Sequence, residues 1–497
     1  MALAVLALTS FAPSAHAATP PNPPGWAVWE LAPGVHHLLT ERPGLVAHAA
    51  RVQPGARVAL RPVVAFDRVG GGHAAYDGRQ PVTDLCARVG GIACVNGDFF
   101  NCRSCGQVAG GLVDRGRTLR SFRGDHEQVA ITGGVPTLEA IQWVGSLRGT
   151  IGRDSFGMQL AALNRGPVPG AAVVYTPDWG PETPQVAGQV EMVFAAGGPH
   201  TTGVRALVPV ARRPVHGAIP RDGVVVAANG RAAEQLNWLW SAWHKARASR
   251  TLVLDTALSE PADVVVGGHP VVLRGGVRQP LDPRDGMAMG RHPRTLLGWT
   301  AAGELLLVTI DGRQPGYSDG ATLHEAVDLL AGLGATDAIN LDGGGSSTFA
   351  MRCATGACVA NRPSDGRQRP VPMALALVPA ASGLKAASAR PASAVVAPAP
   401  VAPPPVAPTA PTTTLAPPVV VPPIERAPAD PVVIPRVERA ARRRHDVALA
   451  PLPMAARPVP EPARSPGTST TTVAAAAAAL ALATAVLLLR LRLEGDT

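Results

Sequence analysis

A predicted strand–helix–strand unit between residues 304 and 341 constrains the fold more than any other part of this 497-residue chain. Glu304–Ile310 is a short apolar run rich in strand-forming residues, and Thr322 with Glu325 forms the capping-box pattern that begins a helix. Apolar residues recur at helical spacing from 323 to 330, and Gly334 follows where a helix commonly ends. The run Asp337–Leu341 predicts the second strand. Because a crossover of this length joins parallel strands, we expect an α+β body with a mixed sheet and helices.

Two aspartates directly follow the two predicted strands. Asp311 and Asp342 each lie one residue past a strand end, and the carboxyl ends of parallel strands meet at one edge of a sheet. Their backbones would be about 4.8 Å apart in adjacent strands, and about twice that with one strand between them. Either spacing suits two carboxylates that flank one glycosidic bond, since such pairs lie about 5–9.5 Å apart. We therefore predict Asp311 and Asp342 as the catalytic residues.

A triple glycine after the second strand predicts a binding site for an anion. Glycines let backbone N–H groups point at a phosphate, hydroxyls that follow add donors, and arginines make bidentate contacts with phosphate. A flexible turn is the alternative interpretation of the glycines. The predicted substrate-binding residues of this region are Arg294, Thr295, Arg313, Gly343, Gly344, Gly345, Ser346, Ser347 and Thr348.

A second polar cluster follows an earlier predicted strand. Ile92–Val95 has the composition of a strand, and Asn96, Asp98 and two phenylalanines come directly after it. Polar residues at a strand end, backed by aromatic residues, are typical of the wall of a site. The alternative is a turn whose phenylalanines belong to the core. We predict Asn96 and Asp98 as further substrate-binding residues.

Five motifs occur in one order and resemble the phosphodiester glycosidase family. The resemblance covers about residues 46–378 and is clearest at 293–378. Asp98 departs from the family pattern, which often has glycine at that position. The motifs are Asn96-Gly97-Asp98-Phe99-Phe100, Pro293-Arg294-Thr295-Leu296-Leu297-Gly298, Asp311-Gly312-Arg313, Asn340-Leu341-Asp342-Gly343-Gly344-Gly345-Ser346-Ser347-Thr348 and Asn361-Arg362-Pro363-Ser364-Asp365-Gly366.

The resemblance implies hydrolysis of a sugar-1-phosphate diester at the bond between the anomeric carbon and the phosphate oxygen. Such a bond breaks through an oxocarbenium-like state, and the phosphate monoester that leaves needs little protonation. One carboxylate, Asp342 or Asp311, then suffices beside arginines and backbone N–H groups that stabilise the phosphate. No cofactor is implied and no metal-ligand spacing is evident, although two aspartates at strand ends can hold a divalent cation.

Six cysteines suggest an oxidising environment. The pairs that are close in sequence are Cys86–Cys94, Cys102–Cys105 and Cys353–Cys358, although six cysteines allow about 15 pairings. A zinc or redox site at Cys102 and Cys105 is the alternative, but no second pair at ligand spacing accompanies it.

The two ends of the chain differ from its body. Residues 1–17 resemble a signal peptide, with Ala15-His16-Ala17 at the cleavage position, and an apolar N-terminus without that role is the alternative. Residues 18–45 form a lead-in to the predicted catalytic domain, 46–378. A Pro/Ala-rich linker without fixed structure is expected at 379–472. The uncharged run 473–489 predicts a membrane helix, with an Ala-rich soluble helix as the alternative. Residues 490–497 are then expected to form a cytoplasmic tail.

The charge distribution argues against a nucleic-acid partner. The net charge is +9, of which residues 379–497 carry +5 and the rest of the chain +4. A near-balanced body does not form a phosphate-binding face. We expect a hydrolase outside the cytoplasm, anchored in the membrane, that acts on sugar-phosphate diesters or surface glycopolymers. A phosphosugar-binding protein without activity and a structural surface protein are the alternatives.

Overall fold

Short strands and the turns that join them make up most of the described part of the chain. The computed structural model describes residues 23–70, 78–101, 106–122, 126–195, 203–246 and 250–380, all within a first unit that spans 1–397. Of these residues, 47% are in β-structure and 13% in helices. The expected α+β class is therefore wrong, because most of the described strands pair with antiparallel neighbours and few of their connections are helical.

The strands in chain order are β1 (Ala27–Ala32), β2 (Val35–Arg42), β3 (Leu45–Val52), β4 (Val58–Val64), β5 (Ala93–Asn96), β6 (Phe100–Asn101), β7 (Gln107–Val108), β8 (Leu112–Asp114), β9 (Arg117–Arg120), β10 (Gln128–Thr132), β11 (Val135–Glu139), β12 (Trp143–Ile151), β13 (Asp154–Leu160), β14 (Ala162–Leu163), β15 (Ala172–Tyr175), β16 (Val190–Phe194), β17 (Gly203–Ala206), β18 (Pro209–Arg213), β19 (Val224–Ala228), β20 (Arg250–Leu258), β21 (Val264–Val266), β22 (Val271–Arg274), β23 (Val277–Arg278), β24 (Arg294–Thr300), β25 (Leu305–Ile310), β26 (Ala335–Asn340), β27 (Phe349–Cys353), β28 (Gly356–Val359) and β29 (Met373–Pro379). The α-helices are α1 (Val82–Arg88), α2 (Gly230–Lys245), α3 (Gly286–Met289) and α4 (Leu323–Gly332).

Two sheets packed face to face position the predicted site. The larger has the order β1-β2-β3-β25-β24-β26-β22-β23, and the smaller has the order β28-β27-β5-β29-β4. All neighbouring strands in both sheets are antiparallel. A shared core fills the space between them, with α4 on the outer face of the larger sheet and α1 on the outer face of the smaller.

Period-two alternation explains why the central strands of the larger sheet are apolar throughout. Successive side chains of a strand point to opposite faces, and both faces of this sheet are covered. The residues that pack towards α4 are Leu296, Leu306 and Ala338, and those that pack towards the smaller sheet are Leu297, Leu307 and Ile339.

The predicted strand–helix–strand unit is confirmed as β25, α4 and β26. Thr322 and Glu325 form the capping box, and the apolar positions of α4 are buried. However, β25 and β26 are not neighbours, because β24 lies between them and pairs antiparallel with both. The two strands run in the same direction within an antiparallel sheet, so the unit does not create a mixed sheet.

The remaining sheets are built from hairpins. They have the orders β11-β10-β21-β8-β9, β13-β12-β20-β17, β14-β15-β19-β16-β18 and β6-β7. Only β14 and β15 pair in parallel among the described strands. The longest described helix, α2, packs against the third of these sheets.

Two of the three predicted disulfide pairs are confirmed. Cys86 bonds to Cys94 and Cys353 bonds to Cys358, with Cα atoms 5.9 and 5.8 Å apart. The pair Cys102–Cys105 lies outside the described residues, as do the predicted signal peptide at 1–17, the linker from 381 onwards, the membrane segment 473–489 and the tail. Within the described ranges, no helix is long and apolar enough to cross a membrane.

Candidate functional site

Asn96 joins the two sheets at the edge where the predicted motifs meet. Its Oδ1 atom accepts hydrogen bonds from the Thr295 hydroxyl (2.7 Å) and from the Thr348 backbone N–H (3.1 Å). Its Nδ2 atom donates to the backbone carbonyl of Asp342 (2.6 Å). Asn96 and Thr295 are both fully buried, so the structure places them behind the Asp342 loop, where they fix its backbone.

Asp342 lies at the end of β26 with a half-buried side chain. Burial raises the pKa of its carboxyl to about 6, although the neighbouring Ser346 hydroxyl, the Arg369 guanidinium and the Gly343 N–H oppose this rise. Asp342 is therefore partly exposed, and its carboxyl has a raised pKa. This combination is common among carboxylates that take part in catalysis.

Two arginines flank the glycines that follow Asp342. A Cβ atom built at Gly344 would lie 3.2 Å from Nη1 of Arg313, and one built at Gly345 would collide with the side chains of Arg369 and Asp365. Gly345 thus leaves room for the close approach of Arg369, which is ion-paired with Asp365 at 2.9 Å. Two guanidinium groups consequently lie beside the Asp342 loop, that of Arg313 and that of the ion-paired Arg369.

The predicted anion cradle is only partly open. The Gly344 N–H donates to the carbonyl of Pro293 at 2.9 Å. In contrast, the hydroxyls of Ser347 and Thr348 are buried and have no hydrogen-bond partner among the described residues. Unpaired buried hydroxyls are costly, so they indicate a place where a polar ligand or water completes the structure.

Asp311, the other predicted catalytic residue, is enclosed by donors. One carboxylate oxygen accepts from Asn361 Nδ2 (2.7 Å), the other accepts from the Tyr317 hydroxyl (3.1 Å), and both accept from the backbone N–H of Arg362. Burial raises the pKa of Asp311, and these bonds lower it. The side chain is 1% exposed and ties the end of β25 to the loop that follows β28.

Arg294 and Arg313 lie in different environments. Arg294 is buried, and burial lowers the pKa of its guanidinium to about 10. Its Nε and Nη2 atoms donate to the backbone carbonyls of Ala321, Met287 and Gly290. Arg313 is exposed and contacts the His292 ring, 3.2 Å from Nη2 to Nδ1. Of these two arginines, Arg313 has its guanidinium beside Gly344, whereas the donors of Arg294 that are named here bind backbone carbonyls.

Asp98 lines a small polar cavity near Asp342. Its carboxylate accepts from the backbone N–H groups of Phe99 and Gly110, both at 2.7 Å. Burial raises the pKa of Asp98 to about 6, and the negative charge of Asp342 adds to this rise. The cavity has a volume of about 80 Å³, and its other polar side chains include His126, Gln128 and His269.

Sequence reasoning missed Arg369 and His292. Arg369 comes three residues after the Asn361–Gly366 motif, and His292 comes one residue before the Pro293–Gly298 motif. For both residues, the only local signal in the sequence is a polar side chain close to a motif. In the parts of the chain that the structure covers, no three His, Cys, Asp or Glu side chains are grouped as metal ligands.

Comparison with known proteins relates this site to one family. Residues 193–378 match the sequence model of the phosphodiester glycosidase family. No curated protein matches the chain.

Solved structures share the fold at low sequence identity. A hypothetical protein from Synechocystis aligns with a TM-score of 0.54 and 18% identity, over 72% of this chain and 64% of that chain. A protein from Burkholderia pseudomallei K96243 described as exported aligns with a TM-score of 0.52 and 24% identity, over 67% of this chain and 74% of that chain. These similarities show the fold alone, and this chain spans 64% of the length of the Synechocystis protein.

A zebrafish N-acetylglucosamine-1-phosphodiester alpha-N-acetylglucosaminidase catalytic domain aligns at 16% identity with a TM-score of 0.36, over 71% of this chain and 81% of that chain. The family model matches the segment that contains β24, β25, α4, β26 and the Asp342 loop. The resemblance predicted from the motifs is therefore confirmed: residues 193–378 match the phosphodiester glycosidase family.

Proposed function

We propose that the protein hydrolyses sugar-1-phosphate diesters. Water is added across the bond between the anomeric carbon and the phosphate oxygen, and the products are a free sugar and a phosphate monoester. The observation that carries the proposal is the partly exposed Asp342, whose loop lies beside the guanidinium groups of Arg313 and Arg369. The family match at 193–378 supports the same reaction class.

We assign different roles to the two aspartates that were predicted to be catalytic. Asp342 supplies the carboxylate that attacks the anomeric carbon or activates the water. Asp311 holds the neighbouring loop, because each of its oxygens already has hydrogen-bond donors. Arg313 and Arg369 stabilise the phosphate that leaves, and the hydroxyls of Ser347 and Thr348 bind the substrate.

We also propose that the protein works outside the cytoplasm on sugar-phosphate diesters of surface polymers. Two disulfides support this location, because such bonds persist in oxidising compartments. Cell fractionation with labelling of free thiols tests it: a cytoplasmic protein with reduced Cys86 and Cys353 would contradict it.

Substitution of each aspartate by asparagine tests the proposed roles. We expect Asp342→Asn to lower turnover of a chromogenic sugar-1-phosphodiester by about 10²- to 10⁴-fold with little change in the unfolding midpoint. We expect Asp311→Asn to lower the free energy of unfolding by about 1–3 kcal/mol, because an amide NH₂ would face the donors that the carboxylate accepts. Asp222→Asn, at an exposed turn, is the control for both variants.

Product analysis separates the proposal from its alternatives. Free sugar with a phosphate monoester supports the glycosidase reaction, and sugar-1-phosphate would instead mean cleavage at phosphorus. A folded wild type that binds the substrates and turns none of them over would point to a binding protein. If the Asp342→Asn variant turned the substrate over as fast as the wild type, Asp342 would not supply the catalytic carboxylate.

A further inference from the structure

A groove of about 590 Å³ adjoins the candidate site and is not used by the roles proposed above. Gln314 and parts of the segment from 359 to 368 line it. Its volume lies within the range of about 300–1,000 Å³ that small-molecule sites occupy.

The walls of the groove continue into the Asp342 site. Asn361 lines the groove, and its Nδ2 atom donates to the backbone carbonyl of Ser347 at 3.2 Å. Gln314 also lines it and follows Arg313, which lies beside Gly344. Asp365 and Arg369 belong to the same loop and contact Gly345. A ligand at Asp342 that extends past the glycines therefore reaches the groove.

The lining of the groove carries positive charge, and the nearest negative charge to Arg362 is the buried Asp311 behind it. Arg362 and Arg367 line it, and no carboxylate does. Both side chains are exposed, and neither is ion-paired within the described part of the chain.

Two features of the groove lining suit it to a polar ligand. The Arg362 guanidinium lies 5.0 Å from the centre of the Tyr317 ring, which restricts its position. The Ser364 Oγ atom is buried and has no hydrogen-bond partner among the described residues. A fixed guanidinium and an unpaired hydroxyl are donors suited to a phosphate group.

We propose that this groove binds a second phosphate group on the leaving-group side of the substrate. The inference rests on the proposed function at Asp342 and deepens it: the preferred substrate is an oligomer or polymer with repeated phosphates, and an isolated diester is a poorer substrate.

Two matched substrates test the inference. One is a sugar-1-phosphoglycerol diester, and the other carries an additional phosphate on the glycerol. We expect the wild type to have a KM about tenfold lower for the second substrate. The Arg362→Gln/Arg367→Gln variant should lose this preference with kcat nearly unchanged, whereas the exposed control Arg221→Gln should keep it. If the double variant folds poorly, Arg367→Gln alone, at an exposed side chain, should give a partial loss of the preference.

A binding measurement keeps this inference separate from the proposed reaction. Calorimetry with a glycerol-phosphate oligomer needs no turnover and is carried out on the wild type, the double variant and Asp342→Asn. We expect the double variant to bind about tenfold more weakly and Asp342→Asn to bind like the wild type. Equal KM values for the two substrates in the wild type, or equal binding by the wild type and the double variant, would overturn the inference even if the enzyme is active.

Discussion

At the scale of single residues, two aspartates in the same local setting have different surroundings. Asp311 and Asp342 each follow a strand and precede a glycine. Asp311 is enclosed by donors from the loop after β28, whereas Asp342 is partly exposed and lies near Arg369. The chemistry available to each carboxyl therefore depends on residues that are distant in sequence.

The pKa of Asp342 predicts an acid limb in the activity profile. Because burial raises this pKa to about 6 and the reaction needs the ionised carboxylate, kcat/KM should fall about tenfold per pH unit below 6. Arg369 lowers the pKa, so Arg369→Gln should move the limb to higher pH, whereas Arg221→Gln should leave it in place. A limb that stays fixed or moves down in Arg369→Gln would show that another group controls it. The measurement is the pH dependence of kcat/KM for the chromogenic diester.

At the scale of secondary-structure elements, the site depends on how strand ends from two sheets are held together. β5 ends at Asn96, β24 begins beside Thr295, and β26 leads into Asp342. The hydrogen bonds of the Asn96 amide connect these elements with the segment that precedes β27. The Asp342 loop is consequently fixed by a side chain from the other sheet.

Replacement of Asn96 by alanine should loosen this junction. The change leaves the backbone N–H of Thr348 and the hydroxyl of Thr295 without their acceptor, at a cost of about 2–5 kcal/mol in the free energy of unfolding. We also expect kcat to fall, because the Asp342 backbone loses a hydrogen bond. Urea denaturation and steady-state kinetics measure both effects. Thr295→Ser keeps the hydroxyl and should remain close to wild type; unchanged stability in Asn96→Ala would disprove the bridging role.

At the scale of the whole molecule, the larger sheet encloses a pair of neutral histidines. His37 and His48 share a hydrogen bond of 3.0 Å and stack against Trp29 and Phe349. Burial lowers the pKa of His37 to about 4 and that of His48 to about 3, to which the charge of His37 also contributes. The unfolded chain therefore binds more protons at these sites than the folded protein between about pH 4 and pH 6.5.

The histidine pair should make the protein sensitive to acid. Each residue favours folding above pH 6.5, and this contribution falls by up to about 1.4 kcal/mol per pH unit as the pH drops towards 4. Asp98, Asp178 and Asp342 act in the opposite direction, because their pKa values are raised to about 6 and they favour folding at low pH.

Comparison with His48→Gln isolates the effect of the pair. We expect the wild type to lose stability relative to this variant as the pH falls from 6.5 to 4, measured by urea denaturation at each pH. Parallel pH curves for the two proteins would disprove the role of the pair.

Local patterns were sufficient to predict several elements. The capping box at Thr322, the buried face of α4 and the two flanking strands depend on residues within a few positions of each other. The same holds for the disulfides Cys86–Cys94 and Cys353–Cys358. Helix periodicity, capping and short disulfide loops are governed by interactions between near neighbours, so the sequence determined them by itself.

Only the tertiary structure decided how these elements are combined. β24 enters between β25 and β26 through pairing between strands, and this pairing made the predicted mixed sheet an antiparallel one. Asn361 encloses Asp311, Arg369 approaches Gly345, and Asn96 anchors the Asp342 loop, each from a distant part of the chain. The surroundings of a carboxyl are set by residues that meet only after folding, and the physical reason is that burial and charge act through space and not along the sequence.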